Sequence, residues 1–198
     1  MRAVLLTSLV LGCSPGAQPD VIFITIDTLR VDHVGAFSTT SPAETPNMDR
    51  LGAMGIRYGQ AYSPISVTGP AFVTLQTGQD PDRHGVRKNA FRGGGEMRPS
   101  TQTLAQQLKR SGYRTGAFVS GFTLRAGIGL EKGFRHYDAP AESGTRASNR
   151  RDGAETVNLA TEWLEQSDDP AFLWFHTYDV HGPLERWTEV PAEGDWER

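Results

Sequence analysis

Residues 21–26 read VIFITI, six apolar or β-branched positions with no charge among them, and the run stops at Asp27. A strand with one wet face alternates in polarity. An unbroken run predicts a strand covered on both faces, as in parallel sheets with helices above and below. A second run of this kind, AFLWF at residues 171–175, lies near the other end of the chain. Stretches of helical period, punctuated by Gly and Pro, separate the two. The pattern predicts an α/β fold, a mostly parallel sheet flanked by helices. Open sheets of this class collect ligands beyond the carboxyl ends of their strands. Asp27 stands at one such end, and the polar residues from His176 to His181 stand at another.

The elements between follow from local signals. Thr45-Pro46 opens a helix to about Met54, with Thr45 as N-cap, Pro46 in the first turn and Gly55 as the stop. Residues 56–62, with Tyr58 and Tyr62, predict a short strand. Ser100 or Thr101 caps a helix to about Ser111, with Leu104 and Leu108 on one face and Gly112 ending it. A strand is expected over 115–120. A helix is expected over about 154–166, with Val157, Ala160, Thr161 and Leu164 on its buried face and Leu159 and Trp163 paired outside it. Phe118, Phe134 and Tyr137 read as core. Residues 92–99 and 139–152 read as polar loops.

Residues 66–86, SVTGPAFVTLQTGQDPDRHGV, read as a turn, a short helix over about 70–76 and a second turn. Pro70 suits a first helical turn because its missing N–H would find no intrahelical partner. The Thr68 hydroxyl then stands at a helix N-terminus, where unpaired N–H groups and the helix dipole favour a phosphate or sulfate. Alone, a Thr-Gly-Pro triplet is more often a plain turn. In register, Thr68-Gly69-Pro70, Thr77-Gly78, Pro81 and His84-Gly85 resemble the nucleophile segment of the sulfatase and phosphodiesterase branch of the alkaline phosphatase superfamily. VIFITIDTLRVDHVG, TLAQQLKRSGYRTGAFVS and GLEKGFRHYD look like the same family. The resemblance covers about residues 20–185, which is about the N-terminal half of the family domain.

That resemblance implies an alkaline-phosphatase-like sheet and a metal-dependent hydrolase acting on sulfate or phosphate esters. True sulfatases carry Cys or Ser at the position of Thr68, oxidised to formylglycine, and Arg at the position of Phe72. Thr cannot form that aldehyde. The resemblance therefore implies Thr68 as a direct nucleophile, with phosphodiester or phosphomonoester favoured over sulfate. It also implies Asp27 and Thr68 as ligands of a divalent ion (Ca, Mg, Mn or Zn), and Asn89 and His181 as groups approaching the substrate's charged oxygens. A small anionic ester is the implied substrate. Each residue has a plainer reading: Asp27 as a strand-end carboxylate, Asn89 as a left-handed loop residue, His84 as a loop anchor, His176 and Asp179 as parts of a hydrogen-bonded turn. Asp32 and His33 read as structural, and Arg87 as solvated. The family's second group of metal ligands lies further downstream than Gly182-Pro183. The sheet is accordingly expected to be incomplete, with a downstream second polypeptide as one source of the rest. The alternative is a catalytically inactive truncated lipoprotein that binds an anion or a partner.

With 20 basic and 23 acidic side chains among 198 residues, the net charge is −3. No basic run is interleaved with aromatics, so no nucleic-acid partner is expected. Residues 1–12 read as a signal peptide, with Arg2 in the n-region and a short apolar h-region. Val10-Leu11-Gly12-Cys13 looks like a bacterial lipobox, and Cys13 is the only cysteine. Acylation of Cys13 would anchor an exported chain to the lipid bilayer of the cell envelope, periplasmic or surface-facing. An ordinary secretory signal with an incidental Cys is the other reading. Residues 13–20 form a tether, and residues 21–198 the N-terminal part of the α/β domain.

Overall fold

The computed structural model describes residues 18–89, 95–140 and 150–182. The expected signal peptide, the expected lipidation site Cys13 and most of the expected tether lie outside the described residues. Four strands, β1 (Val21–Ile26), β2 (Arg114–Val119), β3 (His136–Asp138) and β4 (Ala171–Thr177), form one sheet in the order β1-β4-β2-β3. Every pairing is parallel, as the apolar runs predicted. The helices are α1 (Pro46–Met54), α2 (Thr68–Thr77), α3 (Pro81–His84), α4 (Leu104–Arg110) and α5 (Gly153–Leu164).

Parity along the strands divides the core in two. On one face Phe72 and Val73 of α2 pack with Ala117, Val119 and Trp174, and Phe23 of β1 leans against them. On the other, Ala160 and Trp163 of α5 cover Phe118, Ala171 and Leu173. Trp163 lies so close to β2 that Gly116 is required beneath it: a Cβ there would sit 2.8 Å from Trp163 Cζ2. Arg114 then holds the far end of α5, donating to the carbonyls of Trp163 (2.6 Å) and Leu164 (2.8 Å) while its guanidinium lies 4.1 Å from the Trp163 ring centroid. A cation on those last carbonyls satisfies groups that an α-helix leaves open. α4 carries a capping box, with the Thr103 hydroxyl accepting from Gln106 N–H and Gln106 Oε1 accepting from Thr103 N–H.

Three expectations are corrected. β1 is an edge strand among the described residues, and Ile22 and Ile24 are 45% and 55% exposed rather than buried. The reason is the placement of α5, which packs on β2 and β4 and stops short of β1. Residues 56–62 form no strand; Ile56, Tyr58 and Tyr62 are exposed, and β-propensity without a neighbouring edge to pair with does not make a strand. The buried face of α5 is Gly153, Thr156, Ala160 and Trp163, while Val157 and Thr161 face solvent. The helix is rotated because the bulky Trp163 ring, which the sequence reading placed outside, is the group the sheet accommodates.

Candidate active site

The site lies where β1 and β4 end and α2 begins. Asp27 N–H donates to Thr177 O at 3.0 Å, continuing the β1–β4 ladder one step past the strand, and leaves the carboxylate 8% exposed. The chain then turns through Thr28 at φ +58°, a left-handed conformation unusual for a β-branched residue. Such outliers persist where the surroundings over-determine them. Thr28 is tied by its hydroxyl to Val180 O at 3.4 Å.

α2 begins at Thr68 itself, two residues ahead of the expected start, with Val67 as an extended N-cap. The Thr68 hydroxyl donates to Asp27 Oδ2 at 3.2 Å. Asn89 comes to the same helix end, where its Oδ1 accepts from Gly69 N–H at 2.7 Å. This alters one expectation: Gly69 N–H is occupied and Pro70 has none, so the first turn of α2 offers an anion fewer backbone donors than its position suggested. In exchange, the carboxamide of Asn89 is held by its oxygen, which leaves its NH2 group as the donor end. The support beneath is His84, fully buried, whose Nδ1 accepts from Val86 N–H (3.1 Å) and whose Nε2 faces Thr74 Oγ1 (3.1 Å). Those contacts fix the Nε2–H tautomer, and burial pushes the imidazole below its ordinary pKa. His84 is thus a loop anchor.

From β4 comes His176, and from the turn that follows it come Tyr178 and His181. His181 Nε2 lies 4.0 Å from Asp27 Oδ2, and its ring stacks on Tyr178 at 4.9 Å between centroids. Tyr178 is buried; burial and then the Asp27 charge push its phenol above the usual range, against the hydroxyls of Thr123 and Thr68. His176 lies in the layer below, fully buried, with Nδ1 2.9 Å from Thr25 Oγ1 and its ring edge-on to Phe72 and Tyr178. Burial first, then the charge of His181, pushes it down to about 3. Asp179 Oδ1 accepts from Gly153 N–H at 3.0 Å, tying the turn to the start of α5. Asp32 pairs with both Arg30 and His33 on a short surface turn, and those two partners hold its carboxyl below its usual range. Arg87 pairs with Asp82 at the surface.

The structure therefore gathers Asp27, Thr68, Asn89 and His181 from four separate segments. Tyr178 and Arg150 were missed. Strand parity from His176 could have found Tyr178, whereas Arg150 carries no local signal. Oxygen donors such as the Asp27 carboxylate and the Thr68 hydroxyl suit a hard divalent cation. Among the described residues no group of three His, Cys, Asp or Glu side chains converges, so a cation held by Asp27 and Thr68 would need further donors.

The sequence matches the Sulfatase family model over residues 19–195. It is 33% identical over 131 residues to arylsulfatase A of Bos taurus, covering 64% of this chain and 25% of that protein. The fold superposes on the phosphonate monoester hydrolase of Agrobacterium radiobacter with a TM-score of 0.68 at 20% identity, covering 84% of this chain and 42% of that one. It also superposes on the C-terminal periplasmic domain of EcEptC from Escherichia coli, solved as a complex with Zn, with a TM-score of 0.61 at 14% identity, covering 85% and 46%. The chain spans less than half the length of each. Among the described residues no helix is long and apolar enough to cross a membrane.

Proposed function

Since the chain belongs to the sulfatase family, within the alkaline phosphatase superfamily and on the N-terminal part of its domain, we propose that it is an ester hydrolase with Thr68 as nucleophile, acting on small phosphodiesters or phosphomonoesters in preference to sulfate esters. One observation carries this reading: the Thr68 hydroxyl points at Asp27 Oδ2, 3.2 Å away, at the N-terminus of a ten-residue helix.

A Thr hydroxyl is a weak nucleophile at neutral pH and needs help to ionise. Asp27 is placed to take its proton as Oγ1 attacks phosphorus. The Oγ1–P bond forms, the bond to the leaving oxygen breaks with its electron pair, and a phospho-threonine results. Water then cleaves the P–Oγ1 bond and restores the hydroxyl. Asn89, its oxygen held by Gly69 N–H, turns its NH2 toward the non-bridging oxygens, a donor worth about 3 kcal/mol to the transition state. Asp27 and Thr68 would hold the divalent cation, which supplies positive charge beside the ionising hydroxyl. In this reading the remaining donors come from a downstream segment or a second polypeptide. Acylation at Cys13 would place the enzyme at the envelope membrane.

The test is hydrolysis of aryl phosphodiesters, phosphomonoesters and sulfate esters by the full chain, with Ca, Mg, Mn or Zn added, for the wild type and Thr68→Ala. The expected result is metal-dependent phosphoester turnover that falls by about a thousandfold in Thr68→Ala. Undiminished turnover in the variant overturns the nucleophile assignment, and turnover confined to sulfate esters overturns the phosphate preference. The two-donor cage favours a second reading, a catalytically inactive lipoprotein that binds an anion or a partner. Its sign is thermal stabilisation by phosphate or sulfate with no turnover.

A further inference from the structure

Arg150 belongs to a polar stretch whose sequence gives it no assignment, yet its backbone is fixed at the site. Arg150 pairs with Gly121 in an isolated antiparallel bridge, and the next residue donates its N–H to Ser120 O at 2.8 Å. From the end of β2 the guanidinium reaches the turn that carries His181. Nη1 donates to His181 O at 2.9 Å, and Nη2 donates to Gly182 O at 3.2 Å. Nη2 also lies 3.3 Å from His181 Nδ1, and the guanidinium carbon is 5.7 Å from the Tyr178 ring centroid.

These contacts bear on which nitrogen of His181 holds the proton. A guanidinium only donates. If Nη2 served Nδ1, the proton would sit on Nε2. Nδ1 is, however, only 2.6 Å from Gly182 O, a contact that requires a proton on Nδ1. The shorter contact decides. The carbonyl of Gly182 has two lone pairs, and Arg150 takes one while presenting the other to Nδ1–H. Nε2 is then left as an acceptor, 4.0 Å from Asp27 Oδ2. Two acceptors at that separation bracket a place for a proton-bearing group, and the Thr68 hydroxyl is already on Asp27 Oδ2.

We propose that Arg150 is a positioning residue: by holding Gly182 O it fixes His181 as the Nδ1–H tautomer, with Nε2 as a proton acceptor facing Asp27. The kinetic consequence rests on the hydrolase reading above, while the tautomer itself does not.

The experiment is a long-range 1H–15N correlation spectrum of the full chain, labelled at histidine, in mild detergent at about pH 8. The His181 signals are assigned by their loss in His181→Gln. The wild type is expected to show His181 as Nδ1–H. In Arg150→Gln the ratio of that tautomer to Nε2–H is expected to fall about tenfold, as one charge-assisted hydrogen bond is removed, and Arg150→Lys should restore part of it. Nε2–H in the wild type overturns the proposal, as does an unchanged ratio in folded Arg150→Gln. Kinetics form a separate arm. If phosphoesters turn over, Arg150→Gln should lower kcat while leaving KM nearly unchanged. A tautomer shift without any turnover would sink the hydrolase reading and leave the positioning role standing.

Discussion

His176 gives the most direct route from this geometry to a measurable number. Its imidazole is fully buried between Phe72 and Tyr178, with Nδ1 on Thr25 and Nε2 without a partner. In the unfolded chain it takes a proton below its ordinary value of 6.5; in the folded chain it resists until about 3. Between those values the unfolded state binds more protons, so stability falls as pH falls. The slope from this one group approaches about 1.4 kcal/mol per pH unit, and from about pH 8 down to about pH 4.5 it amounts to about 2.7 kcal/mol. That is a large fraction of the stability of a typical domain. Urea unfolding at about pH 8 and about pH 4.5 for wild type and His176→Leu isolates the effect. Thr25 keeps a partner in the variant, because its hydroxyl can donate to Phe175 O and accept from Trp174 Nε1–H. His84, also pushed down by burial, is common to both proteins and cancels. The expected outcome is that His176→Leu costs stability at the higher pH and recovers most of 2.7 kcal/mol relative to wild type at the lower one. Parallel stabilities at the two pH values would refute the argument, since a neutral buried imidazole could not then be what acid must charge.

Two further outcomes test the packing. Thr103→Ala removes the hydroxyl that caps α4 and donates to Lys132 O at 2.6 Å, and should lower stability by about 1–2 kcal/mol in urea unfolding; no change would mean that the capping box contributes nothing. Gly116→Ala pushes a methyl into Trp163 and should cost about 1–3 kcal/mol with a blue-shifted or broadened Trp emission; a neutral result would show that α5 slides freely on β2.

The parallel sheet was legible because VIFITI and AFLWF admit few other fates, and because Gly112 and Gly78 end α4 and α2 where the pattern stops. α2 and the placement of Asp27 and Thr68 at element ends were legible for the same reason. What sequence could not supply is lateral position. Residues 56–62 have the composition of a strand, yet a strand forms only beside another edge. The face of α5 was misjudged because Val157 and Trp163 both fit an apolar stripe, and only the space above Gly116 decides between them. Arg150 was invisible because it holds the carbonyls of His181 and Gly182, and no side-chain pattern reveals a bond to backbone.

The edge position of β1 ties the site to the rest of the fold. Asp27 is carried by a strand whose described neighbour is β4 alone, so one ladder and the Thr28–Val180 bond hold it in place. The solvent side of that strand shows Ile22 and Ile24, each about half exposed, at an open edge of the kind that invites pairing with further chain. A further strand along that edge, with cover over the face that α5 leaves bare, would bury both isoleucines and pin Asp27 from its second side. In the proposed reading, the donors that a cation at Asp27 and Thr68 would still need and the cover that β1 lacks among the described residues are thus one requirement rather than two. Whatever satisfies the apolar face should also raise cation affinity, and a chain with Ile22→Thr and Ile24→Thr should lose that gain while keeping the Asp27–Thr68 pair intact. Cation titration by calorimetry, with and without a supplied polypeptide carrying the remainder of the family domain, reads the coupling. Equal affinity in both conditions would separate the two requirements and leave the exposed isoleucines to some other purpose.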